Sequence, residues 1–182
     1  MKPKKLSRKI VETNKWTTVV KEQMLFENGK KGEYVIVERQ PAIMIIPLVK
    51  SGGKKFTFLV KQYRYPIDKE IWQFPMGTLE PSSDPAQHAK KELKEETGLL
   101  ATKIKLVGKF YVDPGLSRQE CFVYVAENVT EGGEQELEET EKGMKVAKFE
   151  IEEINRMLQS NSIKDSWGYS GLTMLQDYLK KE

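Results

Sequence analysis

The 182-residue chain carries a formal charge of +3, with 38% hydrophobic and 31% charged residues, the proportions of a globular protein with one main core. Acids and bases are interspersed, so no basic groove for nucleic acid is marked, and no stretch approaches the ~20 apolar residues of a membrane span. The lone Cys121, in the alternating run ECFVYVA, excludes an internal disulfide and reads as a buried strand thiol. The basic opening MKPKKLSRK has no apolar run behind it, so it reads as a solvated tail rather than a leader, and a cytoplasmic setting is expected.

In chain order, TTVVKEQMLF (17–26) and YVIVE (34–38) are β-rich and flank the turn-forming ENGKKG, which predicts a hairpin. A second hairpin is expected from AIMIIPLV, beginning at Ala42, through SGGKK to FTFLVKQYRY, ending at Tyr65. The unbroken apolar character of AIMIIPLV predicts a strand covered on both faces. A short strand, Ile71 to Phe74, leads towards a helix. Two further strands, IKLVGKFYV and ECFVYVAE, are joined by the turn-rich DPGLSRQ. Residues 131–142, EGGEQELEETEK, hold six Glu in twelve positions and break the pattern. KVAKFEI is the last strand. Helices are expected over Ile151 to Gln159 and Gly171 to Lys181, with Asp165 at the start of the latter. These elements predict an α/β (α+β) fold with helices on a curled mixed sheet. The expected division is an N-terminal β-hairpin subdomain, residues 1–40, and a main domain, residues 41–182.

The central helix carries the chemistry. Asp84, Pro85 and Gln87 form a start signal, and Gly98 supplies the stop. At about 100° per residue, Pro85 to Thr97 divides into three faces. Ala86, Ala89, Leu93 and Thr97 are the apolar face. Gln87, Lys90 and Lys94 face water. Glu92, Glu95 and Glu96, with His88 a turn earlier, form a face of like charges that costs about 0.2–0.5 kcal/mol per pair. Three converging carboxylates suit a hard cation better than a helix surface.

The stretch from Gln73 to Leu99 resembles the Nudix box, in which Gly, five residues, Glu, seven residues and Arg-Glu-apolar-x-Glu-Glu-x-Gly-apolar recur. Gly77, Glu92, Leu93, Glu95, Glu96, Gly98 and Leu99 match in register, while Ser83 and Lys91 replace the first Glu and the Arg. QYRYP at 62–66, DPG at 113–115, the acidic loop and the N-terminal hairpin are similar to the branch that acts on ADP-ribose and nucleoside diphosphate sugars. The resemblance implies a Nudix α/β/α sandwich and an enzyme dependent on Mg²⁺ or Mn²⁺. It would hydrolyse a nucleoside diphosphate sugar to a nucleoside monophosphate and a sugar phosphate, with ADP-ribose the first candidate, then GDP-mannose and similar compounds.

The resemblance also implies roles. Glu92 and Glu96 would be the principal metal ligands. Glu95 would be a third ligand within the catalytic set, and the Met76 carbonyl a further ligand. A Glu of the acidic loop, Glu139 or Glu141 with Glu138 also placed, would be the general base. Arg64 would meet a phosphate, and Trp16 and Tyr34 would sandwich the base across a homodimer formed through the N-terminal hairpin. Each has a plainer reading: a solvated charge run, a surface arginine, or aromatic packing. Ser83 and Lys91 fall where the family braces the carboxylates; Lys keeps the charge but not the fork of Arg. They motivate the rival hypothesis of a non-catalytic Nudix-fold sensor of ADP-ribose or a related nucleotide. A nucleoside triphosphatase is the rival within the enzyme class.

Overall fold

The computed structural model describes residues 2–181. Contacts divide it into two compact units: residues up to Pro41 together with Tyr111–Cys121, and Ala42–Phe110 together with the chain from Phe122 onward.

In the first unit, β1 (Lys4–Thr13), β2 (Thr18–Leu25) and β3 (Lys31–Glu38) form an antiparallel sheet in that order. The expected hairpin is β2–β3. The basic opening, expected to be a solvated tail, is instead the edge strand β1. Every residue of β1 is exposed, so no apolar alternation marks it. Its ladder with β2 and its ion pairs hold it. Arg8 lies opposite Glu22 and reaches Glu38 Oε2 at 2.5 Å, and Lys5 Nζ lies 3.7 Å from Glu22. From the Tyr111–Cys121 segment, Arg118 Nη2 donates to both oxygens of Glu22 at 3.1 Å, and its Nη1 to Glu38 at 2.7 Å. Burial pushes the Glu22 carboxyl up. The hydrogen bond and charge of Arg118, with the charges of Lys5 and Arg8, outweigh that and hold it below the usual range.

The second unit holds β4 (Ala42–Pro47), β5 (Val49–Ser51), β6 (Lys54–Arg64), β7 (Lys69–Gln73), β8 (Met76–Thr78), the helix α1 (Pro85–Thr97), β9 (Leu99–Tyr111) as far as Phe110, β10 (Glu120–Glu131) from Phe122, β11 (Lys145–Glu150), α2 (Ile151–Gln159) and α3 (Ser166–Leu179). One sheet runs β8-β4-β10-β9; the other runs β11-β6-β5, with β7 also on β6. The second predicted hairpin therefore needs correction. AIMIIPLV breaks at Pro47, where proline has no N–H for a ladder. Its first part joins β8 and β10, and only Val49–Ser51 pairs with β6.

All six residues of β4 are buried, as its apolar continuity requires. Successive side chains point to opposite faces. Ile43 and Ile45 pack with Ala89 and Leu93 of α1 and with Tyr124 and Ala126 of β10. On the other face, Met44 and Phe74 meet α3 so closely at Gly171 that a Cβ there would stand 2.7 Å from Met44 Sδ. Helices thus cover β4 on both sides. The helix α3 begins five residues before the predicted Gly171, because Asp165 caps it by accepting from the Gly168 N–H at 2.5 Å.

Candidate metal and diphosphate site

The helix α1 has the predicted bounds, Pro85–Thr97, because its ends are locally determined. Asp84 Oδ1 accepts from the Gln87 N–H at 2.8 Å, and Gly98 closes the helix in the left-handed region with φ 69°. With Ala89 and Leu93 in the core, the helical period turns Glu92 and Glu96 towards β8. Glu96 is 2% exposed, and its Oε2 accepts from the Met76 N–H at 2.9 Å. Glu92 lies over Gly77: a Cβ there would stand 2.1 Å from its Cδ. Only glycine leaves room for that carboxylate against the strand.

His88, placed by the helical period a turn before Glu92 on the same face, is buried beneath Glu92. Its Nε2 lies 2.9 Å from both Thr78 O and Glu92 Oε1. A carbonyl only accepts, so Nε2 carries the proton. His88 therefore orients Glu92.

Burial comes first among the causes that push Glu92 up to about 7; the negative charges of Glu95, Glu141 and Glu138 add to it, and Lys91 opposes. Burial likewise holds Glu96 well above the usual carboxylate range. The Met76 hydrogen bond and Arg64 oppose that shift, and Glu141 and Glu92 reinforce it. A buried and a part-buried carboxylate with incomplete compensation are the donor chemistry that a hard divalent cation satisfies. Among the described residues, no three His, Cys, Asp or Glu side chains converge on one point at metal-holding distance.

The two departures from the box occupy neighbouring places. The Ser83 N–H closes a turn onto Glu80 O at 3.2 Å. Lys91 Nζ lies 3.4 Å from Glu80 Oε1 and 3.6 Å from Glu95 Oε1. The acidic partner of the basic residue is thus Glu80, three positions before Ser83. Sequence reading missed Glu80.

The acidic loop sorts its own residues. The charges of Glu138 and Glu141 act on Glu92, and that of Glu141 also on Glu96. The Glu139 side chain is 82% exposed and pairs with Lys142 at 2.5 Å. Arg64, at the end of β6, donates from Nε to Gln73 Oε1 at 2.7 Å, and Gln73 Nε2 donates to Asp165 Oδ2 at 3.3 Å. A relay from the cap of α3 thus aims the arginine whose charge reaches Glu96, and Gln73 is occupied as its brace. Trp16 and Tyr34 are half-exposed and belong to the first unit, whereas α1 belongs to the second. That unit also contains an open cavity of about 530 Å³ lined by Arg39, Tyr111, Ser117, Arg118 and Gln119 among others. Neither arginine was singled out from sequence; the DPG turn between them was the available signal.

The family model for the NUDIX domain matches residues 38–167. The chain belongs to the NUDIX family. It is 25% identical over 166 residues to the ADP-ribose pyrophosphatase of Bacillus subtilis (strain 168), covering 91% of this chain and 88% of that protein. It is 28% identical over 138 residues to the ADP-ribose pyrophosphatase of Mycobacterium tuberculosis (strain ATCC 25618 / H37Rv), covering 75% of this chain and 65% of that protein. A crystal structure of an ADP compounds hydrolase superposes with a TM-score of 0.86 at 20% identity, over 100% of this chain and 96% of that one. That likeness establishes the Nudix fold. Among the described residues, no helix is long and apolar enough to cross a membrane.

Proposed function

We propose that this Nudix chain is a Mg²⁺- or Mn²⁺-dependent hydrolase that cleaves the diphosphate of nucleoside diphosphate sugars to a nucleoside monophosphate and a sugar phosphate. The observation that carries the reading is the pair of Glu96, buried, and Glu92, part-buried against Gly77 and His88, on the carboxylate face of α1. The names of the relatives from Bacillus subtilis and Mycobacterium tuberculosis favour ADP-ribose as substrate. GDP-mannose and similar sugar nucleotides follow it.

Glu92, Glu96, Glu95 and the Met76 carbonyl would hold the cation, which when bound screens the diphosphate and makes water more acidic. His88 holds Glu92 in place, and Lys91 holds Glu95. Of the loop acids, Glu141 is the general base this reading prefers over Glu139, because its charge reaches both Glu92 and Glu96. It takes the proton of the attacking water as the new P–O bond forms and the bridging P–O bond breaks. Arg64 binds a phosphate oxygen in the ground state and more strongly as charge develops on it. We also assign residues 1–40 to a dimerisation element, with Trp16 and Tyr34 stacking on the base across a homodimer. The exposure of Leu6, Ile10, Val11 and Val35 on that sheet supports pairing of two copies. A cytoplasmic setting completes the reading.

The test is a panel of sugar nucleotides with Mg²⁺ or Mn²⁺ and identification of products. ADP-ribose should give AMP and ribose 5-phosphate, and Glu96→Gln should abolish turnover. Binding without turnover across the panel would replace the hydrolase with a sensor.

A further inference from the structure

The acidic loop is physically the cap of α1. A helix leaves its last carbonyls without intrahelical donors. Here the Gly98 N–H takes Lys94 O at 2.7 Å, and the Glu136 N–H takes Glu95 O at 2.9 Å. Gln135 Nε2 donates to Glu96 O at 2.6 Å, and the Gly133 N–H donates to Gly98 O at 2.9 Å. The two backbones approach through a pair of glycines. A Cβ on Gly98 would stand 2.8 Å from Gly133 O, and a Cβ on Gly133 would stand 3.1 Å from Gly98 O. Outside this seam, Lys94 Nζ lies 2.5 Å from Glu136 Oε1.

Past the seam the loop closes on itself. The Glu138 N–H donates to Glu141 Oε2 at 3.0 Å, and the Glu138 side chain accepts from the Glu141 backbone in return. From β6, the buried Gln62 donates to Thr140 O at 3.1 Å. A run of six Glu in twelve residues would otherwise repel itself into an extended coil. Two of the carbonyls that the seam satisfies belong to Glu95 and Glu96, whose side chains lie on the carboxylate face.

We propose that residues 133–136 are a clamp on the C-terminal turn of α1, and that Gln135 is a positioning residue that holds the loop acid Glu141 in place against Glu92 and Glu96. The proposal rests on the reading of that face as the diphosphate site. Gln135 touches no reacting atom. It acts by tying the start of the loop to the peptide of Glu96, while Gln62 ties the far end to the sheet.

The test compares the full-length protein with Gln135→Ala, with Gly133→Ala, and with Glu134→Gln as an exposed neighbour in the same run. Amide exchange read by mass spectrometry, metal-free and with Mn²⁺, reports the loop. Steady-state kinetics and Mn²⁺ calorimetry report the site. In Gln135→Ala and Gly133→Ala, amides 133–141 should exchange at least about fivefold faster, since local opening sets that rate. Turnover should fall about tenfold or more, because misplacing a catalytic group by about 1 Å costs up to about a hundredfold. KM and the Mn²⁺ Kd should stay within about twofold, and Glu134→Gln should match the parent throughout. Faster exchange with unchanged turnover would overturn the proposal, and so would unchanged exchange in both clamp variants. If the parent hydrolyses no sugar nucleotide, the hydrolase reading fails separately, and the exchange data alone decide whether the clamp exists.

Discussion

Gly77→Ala isolates the packing of one carboxylate. A Cβ at this position would stand 2.1 Å from Glu92 Cδ, 2.2 Å from Oε1 and 2.5 Å from Oε2. Ordinary contact begins at 3.4 Å, so the carboxyl carbon must retreat by 3.4 − 2.1 = 1.3 Å. The obstructing group is the far end of a flexible side chain, so the backbone of β8 need not move. Forced contacts cost about 1–3 kcal/mol, and removing a strand glycine returns roughly 0.5–1 kcal/mol, so the fold survives. The retreat pulls Glu92 from His88 Nε2, now 2.9 Å away, and from its place on the carboxylate face. A displacement above 1 Å at a reacting site costs up to about a hundredfold in turnover. The expected result is a melting temperature within a few degrees of the parent, with Mn²⁺ affinity by calorimetry and turnover of ADP-ribose both sharply reduced. Parental metal affinity and parental turnover together would refute the packing argument.

Burial of Glu92 predicts a pH dependence of the metal-free protein. Its carboxyl titrates at about 7 in the fold against an ordinary 4.5, so between those values the unfolded chain has released a proton that the folded chain retains. The contribution of Glu92 to stability therefore falls as pH rises from about 4.5 to about 7 and is level above. Melting curves of the parent and Glu92→Gln across this range should diverge with that sign, and parallel curves would contradict it. In the N-terminal sheet, Arg118→Met leaves the buried Glu22 to Lys5 and Arg8 alone. Removing one partner of a buried charge costs about 3–5 kcal/mol, reduced here to roughly 1–3 kcal/mol by the two remaining cations. Denaturant titration reads the loss, and a change below about 0.5 kcal/mol, the scale of an exposed pair, would show that the pair adds nothing. The dimer assignment predicts that Val11→Lys with Val35→Lys, both exposed in the chain, halves the mass measured by light scattering. An unchanged mass would remove the N-terminal sheet from the interface.

The sequence by itself determined what rests on neighbours in the chain. The bounds of α1 and α2, the Asp84 cap, the Gly98 stop and the turn between β2 and β3 are each set by contacts within a few residues. The carboxylate face was legible too, because the helical period alone aligns Glu92, Glu95 and Glu96. The match from Gly77 to Leu99 was enough to point to the family. Other features required partners far along the chain. The opening strand β1 has no buried residue, and its pairing depends on Glu22, Glu38 and Arg118, so its own residues read as a tail. Pro47 divides an apolar run whose halves join different sheets, and only the ladders reveal the split. In the acidic loop, sequence placed Glu139 and Glu141 first, with Glu138 after them. Tertiary structure seats 133–136 on the end of α1 and turns Glu139 out to Lys142, neither of which the loop's own residues announce. Gly77 matched the motif as a letter in the sequence; its reason is the carboxylate that folding brings over it from fifteen residues away. Local hydrogen bonding writes an element into its own residues, whereas electrostatic environment and close packing arise only when distant segments meet.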